Sequence, residues 1–153
     1  VEGKTHFLTG AVAGFLVTQD WKGALVGGIA GLLPDIDEPR SLIGRPFFFL
    51  SAPLNMAVGH RTLTHSLLAV LVVWLALMPF SRETALAAVS GMVAHIIGDM
   101  VTGKVQVLWP VPMSIGVPVP RIGYLLIDRV VRYGLLLCIL WFGGVWVYEK
   151  FLG

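Results

Sequence analysis

Charge is scarce in this chain. Asp, Glu, Lys and Arg make up 13% of its 153 residues, against 56% apolar residues. Soluble domains carry roughly 25% charge, so this composition reads as an integral membrane protein of one domain, residues 1–153. The mean hydropathy of +0.83 agrees. Cysteine is nearly absent. The lone Cys138 sits in an apolar run, cannot close an intrachain disulfide, and reads as a small core or lipid-facing residue. No block of lysine or arginine is present and the net charge is +2, which argues against a nucleic-acid partner. A basic stretch followed by a small-residue cleavage site is missing near Val1, so no signal peptide is expected. Internal repeats and low-complexity segments are also missing.

What remains is a series of charge-poor windows. Phe7–Gln19 and Gly23–Pro34 are two of them, both shorter than the ~20 residues of a full span. Gly10 and Gly14, then Gly23, Gly27 and Gly31, recur at a spacing of four. That spacing sets them on one helical face and lets two backbones approach closely. Residues 4–34 therefore read as a packed helical hairpin turning at Trp21-Lys22; the alternative is that the glycines only loosen two short helices. Pro34 and Pro39 make the Asp35/Asp37 segment a loop or helix end. Residues 46–59 look like an interfacial segment or half-helix. Thr62–Ser81 and Thr84–Thr102 are long enough to cross. Residues 105–120, with Pro110, Pro112, Pro118 and Pro120, form a structured surface loop. Tyr133–Tyr148 is the last crossing, with Trp141 and Trp146 as interfacial anchors. The fold class expected is all-α, with about five membrane-associated helices: a short N-terminal hairpin, three longer helices and interfacial loops.

All four histidines, His6, His60, His65 and His95, fall in or beside short polar clusters. Polar groups beside membrane-type sequence are expensive and need a reason. Counting crossings places them together. His6 opens the first helix and Asp35 follows the second; His60–His65 open the third and His95–Asp99 close the fourth. All lie at one membrane surface. On that face stand Lys4, Arg40, Arg45, Arg61, Lys104, Arg121, Arg129 and Arg132, and on the other Lys22, Arg82 and Lys150. The positive-inside rule then turns the site toward the cytoplasm.

Each cluster has its own chemistry. His95 and Asp99, four apart, share a helix face with Thr102 one turn on, and can share a metal or simply hydrogen-bond. Asp35 and Asp37 alternate along an extended loop, so both carboxylates can face one ion or bridge two, or form a solvated turn. His60 and His65 bracket a helix start that Thr62 or Thr64 can cap. Arg61 sits where guanidinium and helix N-terminus together attract an anion such as phosphate. Four His and three Asp are donors enough for one or two divalent ions, with Zn, Mn and Fe fitting equally.

The strings Leu32-Leu33-Pro34-Asp35-Ile36-Asp37, Gly59-His60-Arg61-Thr62-Leu63-Thr64-His65-Ser66-Leu67-Leu68, His95-Ile96-Ile97-Gly98-Asp99-Met100-Val101-Thr102 and Leu108-Trp109-Pro110 resemble the YdjM family. That family is described as bacterial inner-membrane, metal-dependent hydrolases, some under SOS (LexA) control. The His60-Arg61-x-x-Thr64-His65 element is its most specific part here and also looks like the histidine motif of zinc-dependent phospholipase C-type proteins. The resemblance spans roughly residues 5–112 and implies metal-site roles for His6, Asp35, Asp37, His60, His65, His95 and Asp99, with Arg61 beside them. The reading that follows is a bacterial inner-membrane, multi-pass hydrolase cleaving a lipid phosphoester at the cytoplasmic face. Membrane lipid is both its environment and its substrate. Asp35 or Asp37 would act as general base, Arg61 would stabilise phosphate charge, and Arg61, Thr64, Lys104 and Arg121 would hold the head group. The rival readings are a metal or small-solute transporter, whose ligands would sit nearer the midplane, and a lipid-binding regulatory protein.

Overall fold

The computed structural model describes residues 2–151, with the side chains of Trp146, Val147, Lys150 and Phe151 outside the description. The described residues form six α-helices: α1 (Gly3–Thr18), α2 (Trp21–Ala30), α3 (Phe48–Val58), α4 (Leu67–Leu77), α5 (Arg82–Thr102) and α6 (Arg121–Phe151). Two short 3-10 turns, Leu33–Asp37 and Leu63–His65, precede α3 and α4. Extended pairing among the described residues is limited to an isolated bridge between Val105 and Ile115. The fold is therefore all-α, as expected.

α1, α2 and α5 pack on one another, α4 lies against α5, and α6 leans on α1. Small residues make the first three contacts possible. A Cβ on Gly10 would stand 2.4 Å from the Gly27 carbonyl oxygen, and one on Gly91 would stand 2.1 Å from the same atom. The α1–α2–α5 junction is thus backbone against backbone, and the hairpin reading of the glycines holds. Its turn falls earlier than expected. Gln19 takes a left-handed φ of 54° and closes α1 through its N–H to the Phe15 carbonyl, so Trp21 already begins α2.

Three further expectations need correction. The helix expected over Thr62–Ser81 is only the eleven residues of α4. Its start is drawn into the 3-10 turn, and Ser66 caps it, its Oγ accepting from the Ala69 N–H at 3.3 Å. Neither Thr62 nor Thr64 is the cap: Thr62 Oγ1 donates back to the Val58 carbonyl at 2.7 Å, and Thr64 turns to Asp37. Nor does the last helix begin at Tyr133, because α6 runs from Arg121. Five clear spans do not emerge. α5 is the one helix among the described residues long and apolar enough to cross a bilayer by length and composition, while α3 and α4 are shorter apolar helices.

The surface is strongly apolar. Phe48, Phe49 and Met56 on α3, Val111, Met113 and Val117 in the proline-rich loop, and Leu137, Leu140 and Trp141 on α6 are all exposed. Cys138 is exposed on α6, so it is not the core residue that was one of the two expectations for it. Two other expectations, Trp146 as an anchor and Lys150 on the far face, concern side chains outside the described residues.

Candidate metal centre

Five chain segments meet at one end of the helix packing. They are the first turn of α1 (His6), the 3-10 turn after α2 (Asp35, Asp37), the segment before α4 (His60, Arg61, Thr64, His65), the last turns of α5 (His95, Asp99) and the segment just after α5. His6, Asp37, His65, His95 and Asp99 are buried, and Asp35 is nearly so.

Asp35, His65, His95 and Asp99 form the inner group, their ligand atoms all within 4.8 Å of one another. His65 Nε2 and His95 Nε2 are 3.1 Å apart. His65 Nε2 lies 3.8 Å from Asp35 Oδ1 and 3.4 Å from Asp99 Oδ2. His95 Nε2 lies 3.6 Å and 3.8 Å from the same two oxygens. Tetrahedral ligands held about 2.0–2.2 Å from one ion stand about 3.3–3.6 Å from each other. The separations bracket that range. The donor types suit a divalent cation, and these four side chains could hold one.

The hydrogen bonds behind these atoms point the same way. His95 Nδ1 is 2.6 Å from the Gly31 carbonyl oxygen, so Nδ1 carries the proton and Nε2 turns its lone pair inward. Backing a ligand ring with a carbonyl is how metal-binding histidines are oriented. His6 packs flat on His95, centroids 3.6 Å apart, with its Nε2 3.2 Å from Asp99 Oδ1. It supports the group from outside and does not join it.

Asp37 is the hub beneath. Its carboxylate faces His60 Nδ1 at 2.7 Å, the Arg61 N–H at 3.2 Å, Thr64 Oγ1 at 2.5 Å and His65 Nδ1 at 3.4 Å. Burial alone would raise its pKa, but the donors from His60, His65 and Thr64 hold it well below the usual carboxylate range. Such a carboxylate orients its neighbours and is a poor proton acceptor. Asp35 is pushed up by burial, with nearby histidine charge opposing that. Burial also disfavours a charged His65, yet Asp37 and Asp99 overcome it and raise its pKa to about 9.

A second group, Asp35, Asp37, His60 and His65, also meets the spacing for an ion. Here the His60 Nδ1–Asp37 contact is already made, and the His60 ring remains 31% exposed. It reads as an oriented, solvent-facing imidazole.

Arg61 is held three ways. Its N–H reaches Asp37, its carbonyl accepts from Gln106 N–H at 2.9 Å, and its Nε pairs with Asp99 Oδ2 at 2.9 Å. Its φ of 62° is unusual for a residue with a side chain and marks the strain such clamping sustains. Gly103 makes room for it, since a Cβ there would stand 2.0 Å from Arg61 Nη1. Lys104 and Arg121 are exposed and, among the described residues, make no ion pair with the group. Reasoning from sequence missed Asn55, whose Nδ2 donates to the Asp37 carbonyl at 2.7 Å. It is the chain's one asparagine, in an apolar helix, and that isolation was the available signal. Gln106 and Gly103 carried no comparable signal.

Comparisons with known proteins agree with the sequence motifs. The model of the family described as "YdjM inner membrane protein" matches residues 1–151. "Inner membrane protein YdjM" of Escherichia coli (strain K12) is 38% identical over 113 residues, covering 68% of this chain and 58% of that protein. The protein of the same name from Shigella flexneri matches to the same extent. "Uncharacterized protein YvsG" of Bacillus subtilis (strain 168) is 32% identical over 125 residues, covering 76% of this chain and 78% of its own. The chain thus spans 58% of the length of the two YdjM relatives. No solved structure matches.

Proposed function

The chain belongs to the YdjM inner membrane protein family, and on that premise we propose that it is a multi-pass, metal-dependent hydrolase cleaving a lipid phosphoester at the cytoplasmic membrane face. The observation that carries this reading is the inward-turned group of Asp35, His65, His95 and Asp99, whose ligand atoms all lie within 4.8 Å of one another. These four would hold a divalent cation such as Zn, Mn or Fe. Such an ion acidifies water and polarises a phosphoryl oxygen.

The other residues supply what the ion does not. His60, with Nδ1 fixed by Asp37, presents its remaining ring nitrogen to solvent and is the acid–base group. Arg61 lies beside the ion group with its guanidinium partly exposed, where it would hold phosphate oxygens as their charge grows. Lys104 follows the last turn of α5 and, with Arg121, would draw in an anionic head group. The exposed apolar faces of α3 and the proline-rich loop would rest among acyl chains. The ligands sit at helix ends, His65 just before α4 and Asp99 in the last turn of α5, which favours surface chemistry over midplane transport. The Lys and Arg excess on this side supports the cytoplasmic orientation.

The test joins metal content to turnover. Purified protein should carry a stoichiometric transition metal, and His95→Ala should lose it. Arg61→Ala should keep the metal but lose about a hundredfold or more in phospholipid or isoprenyl-phosphate turnover. Arg61→Lys should recover only part, lacking the planar fork. Wild-type protein that retains no metal, or that never cleaves a phosphoester, overturns the reading.

A further inference from the structure

A second buried polar cluster lies outside the metal group, where α6 meets the start of α1. Asp128 is 1% exposed, although the helix around it is mostly apolar and exposed. A buried carboxylate in such a setting needs a reason. Its Oδ1 accepts the backbone N–H of Glu2 at 2.7 Å. Arg132, one turn on, pairs with Asp128, reaches Glu2 Oε2 at 2.7 Å and donates from Nε to Thr5 Oγ1 at 3.0 Å. Thr5 is itself fully buried.

These contacts end on His6. Glu2, whose N–H is held by Asp128, accepts the His6 N–H on its carbonyl at 3.0 Å. Thr5, held by Arg132, is the residue before it. The His6 ring has few restraints of its own. It stacks on His95, and its Nε2 faces Asp99 at 3.2 Å, while its Nδ1 finds no hydrogen bond among the described residues. His6 also lines an apolar cavity of about 80 Å³, together with Thr9, Gly98, Val101, Ile127 and Val131.

We infer that the Asp128–Arg132 clamp of α6 is a positioning device for the metal centre, acting through the first turn of α1 to hold His6 against Asp99. The inference rests on the proposed metal-binding role of Asp99. A plain anchor for α6 would explain the same contacts, so the test must separate the two. The measurements are zinc affinity of full-length protein in nanodiscs and, in metal-free protein, the ¹⁵N shifts of the His6 ring. Arg132→Ala should weaken zinc binding about tenfold or more, the usual effect of losing support behind a ligand. Thr5→Val, which keeps the packing and removes one acceptor, should weaken it in the same direction and move the His6 shifts.

The decisive comparison is the double variant. If Arg132 acts through His6, His6→Ala with Arg132→Ala binds zinc as His6→Ala does alone. Additive losses, or wild-type affinity in Arg132→Ala, overturn the inference. If wild-type protein retains none of Zn, Mn and Fe, the proposed function fails, and the ring shifts alone then decide. Unchanged His6 shifts in both Thr5→Val and Arg132→Ala refute the clamp.

Discussion

The proton on His65 should compete with the metal, and the competition has a predictable size. In metal-free protein Asp37 lies 3.4 Å from one ring nitrogen and Asp99 3.4 Å from the other. Against the cost of burial they raise the pKa from 6.5 to about 9. At pH 7 the ring is therefore mostly protonated, and removing the proton costs on the order of 3 kcal/mol. A ligand histidine must be neutral, so metal binding expels that proton. Apparent zinc affinity should rise about tenfold per pH unit from 7 toward 9, then level off. Competition with a fluorescent chelator in nanodiscs measures it, and one proton should be released per ion near pH 7. Asp37→Asn should separate two effects: the plateau begins at lower pH, because one of the two carboxylates is gone, yet plateau affinity falls roughly 10–100-fold, because the His65 ring loses its orienting partner. The stability of metal-free protein runs the other way. A folded pKa above the unfolded one stabilises below about pH 6.5, and that contribution, on the order of 3 kcal/mol, is lost as pH rises through 9. Affinity flat between pH 7 and 9, or full plateau affinity in Asp37→Asn, would refute the reasoning.

Other perturbations follow from particular contacts. Gly103→Ala drives a methyl group toward Arg61 Nη1 and should cut turnover at least tenfold while leaving bound metal unchanged, read by elemental analysis beside a lipid phosphoester assay. Gly91→Ala places a Cβ 2.1 Å from the Gly27 carbonyl oxygen and should cost about 1–3 kcal/mol or more in thermal unfolding. Gly134→Ala, with open space around it, should match or slightly exceed wild type in the same experiment. In a Cys138→Ser background, cysteines at Ser41 and Lys104 should resist impermeant thiol reagents in intact cells while one at Arg82 reacts; labelling of Ser41 and Lys104 from opposite sides would separate the halves of the site.

Much of the site was legible because its residues are costly where they stand. A histidine or aspartate bordering apolar sequence advertises itself, and helix directions brought His6, Asp35, His65, His95 and Asp99 to one end before any distance was known. Which residue does what was not legible. Asp35 and Asp37 differ in role through the donors each meets, and three of those facing Asp37 come from residues 60–64. The support behind His95 is a backbone carbonyl, which no side-chain pattern reveals. The start of α6 escaped because Asp128, Arg129 and Arg132 interrupt its apolar window, although helical hydrogen bonding ignores them. α4 came out short because residues 62–65 are held by Asp37 and Val58 in preference to a first helical turn.

α2 has ten residues and rises about 15 Å, half the thickness of a bilayer's hydrocarbon layer. On the proposed reading, its start at Trp21 and the Asp35 turn cannot both stay in contact with water and leave the lipid undisturbed. The surrounding leaflet must dip to meet them. Head groups in that depression would be brought to the carboxylates and imidazoles without any lipid leaving the membrane. Encounter would then be a two-dimensional process, governed by the mole fraction of substrate among its neighbours and by leaflet thickness. Turnover should track the first of these at constant bulk lipid, and thicker acyl chains should slow it even when the scissile bond is unchanged.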